Sequence, residues 1–119
     1  MKRPQREFYS IGEVCELFGI KPHVLRYWET QFPALSPPKN RSGNRVYRAR
    51  DLELIALIQH LVHEERYTLE GARTRIEELR KEGAAAQTAR GALEQSFVRS
   101  LRAELEELLE LLDEPTSSG

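Results

Sequence analysis

This sequence of 119 residues holds one cysteine, Cys15. An internal disulfide is excluded, and sparse cysteine fits a reducing compartment. No apolar run approaches the roughly 20 residues of a membrane span. The opening MKRPQREFYS is basic but lacks the apolar region of a secretory signal. The expected setting is the cytoplasm, with no membrane partner. Metal-ligand spacing is also missing. His60 and His63 stand three apart beside Glu64 and Glu65, yet no Cys, Asp or third His completes a zinc-like pattern. They read as a charged helix face. There is no glycine-rich phosphate loop and no recognisable Ser/His/Asp set. No cofactor and no metal are expected, and an enzyme is the least supported class.

Charge is plentiful and unevenly placed. Residues 1–50 carry ten Lys and Arg against four acids, a net +6, while residues 51–119 carry a net −7. The overall −1 hides this polarity. A basic half can lie on phosphates while an acidic half points away.

The basic half contains IGEVCELFGIKPHVLRYWE, residues 11–29. Ser10 and Glu13 form an S-x-x-E capping box before a first helix at about 11–18. Ile11, Val14, Cys15 and Phe18 make one apolar stripe, which places the Cys15 thiol as a structural group. Gly19 can take the left-handed conformation that ends a helix, and Pro22 suits the first turn of a second at about 22–30. Val24 and Leu25 anchor that helix inward. His23, Arg26 and Tyr27 then share an outward face. A short helix–turn–helix with a polar, basic second helix has the shape that enters a DNA major groove.

Phe8 and Tyr9 read as an extended lead-in packed on the core. Prolines break the chain after the second helix, with Leu35 between them as a core anchor. Lys39 to Tyr47 then reads as a small β-hairpin around Ser-Gly-Asn turn chemistry. Lys39, Arg41, Arg45 and Arg48 make it a positive tip, suited to gripping phosphates. A third helix is expected from Asp51 to about Glu65, broken by Arg66-Tyr67, and a fourth from the N-cap Thr68 to about Lys81. These elements form one domain over residues 8–81. Residues 82–92, with small residues and two glycines, read as a linker, although the alanines can carry helix. In residues 93–113 Val98, Leu101, Leu105, Leu108 and Leu112 recur at spacings of 3, 4, 3 and 4, an a/d coiled-coil seam widened by Phe97, Leu109 and Leu111. Self-association through this helix is the expectation. Glu114-Pro115 stops it, and residues 114–119 read as a disordered tail. The fold class is mainly α: a winged helix–turn–helix with a β-hairpin wing, then a long C-terminal coiled-coil helix.

The run FYSIGEVCELFGIKPHVLRYWE, then SGNRVY, then RDLELIALIQHLVHEERYTLEGARTRIEEL, resembles the DNA-binding domain of bacterial MerR-type transcription regulators, from about Phe8 to Leu79. The joint pattern is I-G-E-V, L-R-Y-aromatic-E, G-x-R-x-Y in the wing, and D-L followed by a helix and Y-T-L-E. The resemblance implies a homodimer whose long helices pair as an antiparallel coiled coil. By position, His23, Arg26 and Tyr27 face the major groove, and Trp28 falls near a phosphate or in the core. Lys39, Arg41, Asn44, Arg45 and Tyr47 fall on the wing. Trp28 stands where a second tyrosine is common, and Arg48 where an N-cap Ser or Thr is common. No sensor-like segment or cysteine follows the long helix, so the family's sensing step is not implied here.

The function this implies is sequence-specific regulation of transcription by a homodimer on a near-palindromic promoter site in double-stranded DNA. Family members often bend and untwist an over-long promoter spacer, which makes RNA polymerase or a regulatory protein a further expected partner. Two alternatives remain open. One is an architectural DNA-binding protein with low sequence preference. The other is a protein-interaction adaptor that uses the acidic C-terminal helix.

Overall fold

A computed structural model describes residues 7–113. Residues 1–6, and the helix stop and tail expected at 114–119, lie outside the described residues. Strand β1 (Tyr9–Ser10) runs straight into helix α1 (Ile11–Phe18), and helix α2 (Pro22–Gln31) follows after a tight turn. Strand β2 (Val46–Tyr47) leads into α3 (Ala49–Gln59), then α4 (Leu69–Lys81) and α5 (Ala85–Asp113).

Local chemistry sets most boundaries. The Ser10 hydroxyl accepts from the Glu13 N–H at 3.1 Å, and the Glu13 carboxylate accepts from the Ser10 N–H at 2.9 Å. This closes the capping box, and losing such a cap costs about 1 kcal/mol. Gly19 ends α1 at φ 66°, a conformation that penalises any residue with a Cβ. Pro22 opens α2, where its missing N–H costs nothing. Arg48 has no capping oxygen, and Asp51 compensates from inside α3. Its Oδ2 accepts from the Arg48 backbone N–H at 2.9 Å and from Arg48 Nε at 3.2 Å. Thr68 caps α4 by accepting from the Gly71 N–H at 2.9 Å.

The core sits around α3, which is buried on almost every side through Leu52, Ile55, Ala56, Leu57 and Ile58. Val14, Phe18, Leu25, Trp28, Phe32, Leu35, Tyr47 and Ile76 close on it. The third helix extends as expected to Glu64, but its last turn, His60–Glu64, widens into a π-helix. There the Glu65 N–H donates to the His60 carbonyl, and Arg66 reverses the chain at φ 63°. The strand pair is non-local. β1 pairs antiparallel with β2, Tyr9 opposite Tyr47 and Ser10 opposite Val46. Within the wing the hairpin narrows to a single bridge, Lys39 with Arg45.

The expected linker at 82–92 is corrected: α5 begins at Ala85 and runs unbroken through Gly91. The break is confined to Glu82–Ala84, where Gly83 takes φ 75° and the Ala84 N–H donates to the Leu79 carbonyl at 2.8 Å. Alanine is the strongest helix former, and the cost of about 1 kcal/mol for Gly91 is offset by packing. Ala89, Leu93 and Ser96 are buried, and Phe97 packs beside them. The proximal half of α5 therefore belongs to the domain. Arg99 still pairs with Glu64 at 3.5 Å, and beyond Glu104 the helix leaves the domain; every residue from Leu101 to Asp113 is exposed. None of the described helices is long and apolar enough to cross a membrane.

Candidate nucleic-acid interface

The second helix is anchored from below and open above. Leu25 and Trp28 are buried, while His23, Arg26 and Tyr27 are exposed. At i, i+3 and i+4 the three exposed residues share one face. Arg26 makes no ion pair with a described residue, so its fork of donors is available to a base edge or a phosphate. The Trp28 ring lies in the core with its centroid 6.3 Å from that of His63, which places the widened turn against α2. Of the two sites left open for Trp28, the ring takes the core. Arg73 of α4 donates to the Gln31 carbonyl at 3.0 Å and ties down the end of α2.

The wing tip is built by Asn40. Its side-chain oxygen accepts from the N–H groups of Ser42 at 2.9 Å and Asn44 at 3.0 Å, and its carbonyl accepts from the Gly43 N–H. Gly43 sits at φ 83°, which only glycine adopts without strain. This turn holds Lys39, Arg41 and Asn44 exposed at the tip. Neither Lys39 nor Arg41 pairs with a described acid.

Arg45 and Tyr47 are placed differently. Glu29 of α2 accepts from Arg45 Nε at 2.7 Å through Oε1 and from the Tyr47 hydroxyl at 2.6 Å through Oε2. The hydrogen bond and charge of Glu29 raise the affinity of Arg45 for its proton. Burial, then the hydrogen bond and charge of Glu29, push the Tyr47 hydroxyl far above the usual phenol range. Tyr47 of the wing is fully buried, and its hydroxyl faces Glu29 and not the surface. Arg45 keeps both Nη groups free of bonds to described residues.

Three roles lie outside the motifs. Glu29 closes L-R-Y-W-E, where the spacing alone assigns it no partner. Asn40 precedes the turn by the spacing of an Asx turn, a signal present in the sequence. Gln59 caps the end of α1, its Nε2 donating to the Phe18 carbonyl at 2.6 Å, a contact no local pattern announces. Cys15 is half-buried on α1, and burial raises its thiol more than nearby Arg26 lowers it. That is the environment of an unreactive thiol. Among the described residues no group of three His, Cys, Asp or Glu side chains could hold a metal ion.

Comparison with known proteins agrees with this architecture. Residues 9–79 match the model of the MerR HTH family regulatory proteins. The chain is 36% identical over 69 residues to a provisionally named heat shock protein, HspR, of Streptomyces coelicolor, a match covering 58% of this chain and 45% of that protein. It is 33% identical over 51 residues to an uncharacterised HTH-type transcriptional regulator of Synechocystis, covering 43% of this chain and 37% of that protein. It is 30% identical over 56 residues to the HTH-type transcriptional repressor CarH of Myxococcus xanthus, covering 47% of this chain and 19% of that protein. The match thus spans less than half the length of these relatives. The fold is shared with HiNmlR, a MerR family regulator lacking the sensor domain and solved bound to promoter DNA. That likeness has a TM-score of 0.51 at 21% identity, over 89% of this chain and 85% of the other. With the family model covering more than half of its length, the chain belongs to the MerR family of DNA-binding transcription regulators.

Proposed function

We propose that the chain acts as a homodimer, joined through the distal half of α5, and binds a near-palindromic promoter site with two α2 helices and two wings. The carrying observation is the exposed stripe of Val98, Leu101, Leu105, Leu108 and Leu112 on a helix that projects from the domain. A single helix–turn–helix makes few base contacts, so a tight and specific site needs two. In this reading His23, Arg26 and Tyr27 enter the major groove. Lys39, Arg41, Asn44 and the free end of Arg45 take backbone phosphates. Regulation then follows from deforming the promoter so that RNA polymerase engages it differently.

Charge along α5 supports antiparallel pairing. Its distal half carries Arg99, which also pairs with Glu64 at 3.5 Å, and Arg102 near the domain, then Glu104, Glu106, Glu107, Glu110 and Asp113 toward the far end. Antiparallel helices set the cations of one copy against the acids of the other, whereas parallel helices set like against like. In a Cys15→Ala background, Asp113→Cys should give no disulfide-linked dimer on oxidation, because antiparallel pairing keeps the two ends apart. Rapid cross-linking would show a parallel pair. The whole reading is tested by selecting bound duplexes from random DNA. A motif with two-fold symmetry supports it; recovery of no common sequence would favour low-specificity architectural binding instead.

A further inference from the structure

Glu29 is the one acid of α2, a helix whose exposed face is otherwise suited to polyanionic DNA. A carboxylate there opposes phosphates unless it does something else. Its side chain is only 11% exposed, and both oxygens are committed to the wing side of the molecule. The two donors, Arg45 and Tyr47, lie 16 and 18 residues further along the chain. Tyr47 is itself locked in the core and pairs with Tyr9 across the strands. The carboxylate therefore bridges the second helix and the base of the wing. The wing ladder has one bridge of its own, and the Glu29 carboxylate joins it directly to the second helix.

We propose that Glu29 is a positioning residue for DNA binding. It sets the wing at a fixed angle to α2 and turns Arg45 so that its two Nη groups present a preformed fork to a phosphate. Tyr47 is the strut that completes the bridge, not a DNA contact. Fixing Arg45 before binding removes part of the ordering cost that a free arginine would meet on the duplex. The inference rests on the reading of the wing as a phosphate-gripping element.

The test compares wild type, Glu29→Gln, Tyr47→Phe and Arg45→Ala on two duplexes across a salt series. One duplex is recovered by selection with the wild-type protein, and the other is unrelated in sequence. Thermal melts establish that each variant is folded. Glu29→Gln keeps the shape but loses the charge. It should weaken the selected duplex about tenfold or more, the scale of a lost charge-assisted hydrogen bond. Its salt slope should fall by about 1.8, the contribution of one phosphate contact in each of the two wings. Tyr47→Phe should weaken both duplexes several-fold, because a phosphate contact carries no sequence information. Tighter binding of both duplexes by Glu29→Gln would show that the carboxylate merely repels phosphates and would overturn the inference. So would unchanged affinity in both Glu29→Gln and Tyr47→Phe. If Arg45→Ala binds both duplexes as wild type does, the wing reading itself fails. If Arg45→Ala weakens binding while the other two do not, only the role of Glu29 fails.

Discussion

Replacing Leu105 and Leu108 together with Glu is the most demanding test of the dimer. Both leucines lie on the projecting half of α5, exposed at 54% and 57%. Burying a whole leucine side chain contributes about 1.5–3 kcal/mol, so covering the exposed half of each contributes about half of that. Two residues on each of two copies then supply roughly 3–6 kcal/mol to association. Each 1.4 kcal/mol is tenfold, so the double variant should weaken dimerisation by about 10²–10⁴-fold before the cost of burying the new charges is added. Sedimentation or light scattering at micromolar protein should show a monomer. The domain should survive, because α5 is anchored by Ala89, Leu93 and Ser96, all before the substituted positions. Far-UV circular dichroism should lose at most the signal of residues 98–113, since an unpaired helix of that length is marginal in water. Affinity for a two-fold symmetric duplex should collapse, while weak, salt-sensitive binding by the basic face persists. A double variant that stays dimeric, or a wild type that is monomeric at micromolar concentration, refutes the reasoning and returns the acidic helix to an adaptor role.

Other outcomes follow from single residues. Arg26→Ala should relax base preference at one position of each half-site, costing about 1–3 kcal/mol on the selected duplex if the guanidinium reads a base edge; equal weakening on all sequences would make it a phosphate contact. The raised ionisation range of Tyr47 makes stability depend on alkaline pH. Its contribution is complete below the unfolded phenol value near 10 and is lost as pH rises above that, because the unfolded chain releases the proton first. Urea titrations at rising pH should therefore show a shallower alkaline loss for Tyr47→Phe than for wild type; identical slopes would contradict the burial argument. Cys15 should be alkylated more slowly at pH 8 than a free thiol, because burial holds it protonated. Faster alkylation would mark it as a reactive group.

Boundaries set by neighbouring residues were legible from the sequence. Ser10 with Glu13, Gly19, Pro22 and Thr68 act within one helical turn, and each does in the fold what its chemistry implies. Features decided by distant packing were not legible. The strand pairing of Tyr9 with Tyr47 joins segments on either side of two helices, and no local pattern specifies it. Residues 82–92 look like a linker because alanine and glycine provide little apolar periodicity. What makes them helical is the burial of Ala89 and Leu93 against the domain, a tertiary effect. The widened turn at His60–Glu64 is likewise invisible in composition, since it depends on where the chain must reverse at Arg66.

The site divides along the same line, with a consequence for motif-based assignment. Spacing correctly grouped His23, Arg26 and Tyr27 on an open face, because a helix's geometry alone decides which residues share a side. Spacing said nothing about competition for hydrogen bonds. Tyr47 occupies a wing position whose hydroxyl would suit a phosphate, but a buried hydroxyl must be satisfied inside the protein, and Glu29 is there to satisfy it. The same carboxylate takes Arg45 Nε and leaves the rest of the guanidinium outward. A single acid thus holds the Tyr47 hydroxyl within the scaffold and fixes one nitrogen of Arg45. In a face selected to meet polyanions, a buried acid is therefore more informative than one more exposed cation. An exposed cation there needs no structural partner, whereas a buried carboxylate needs donors such as Arg45 and Tyr47 around it.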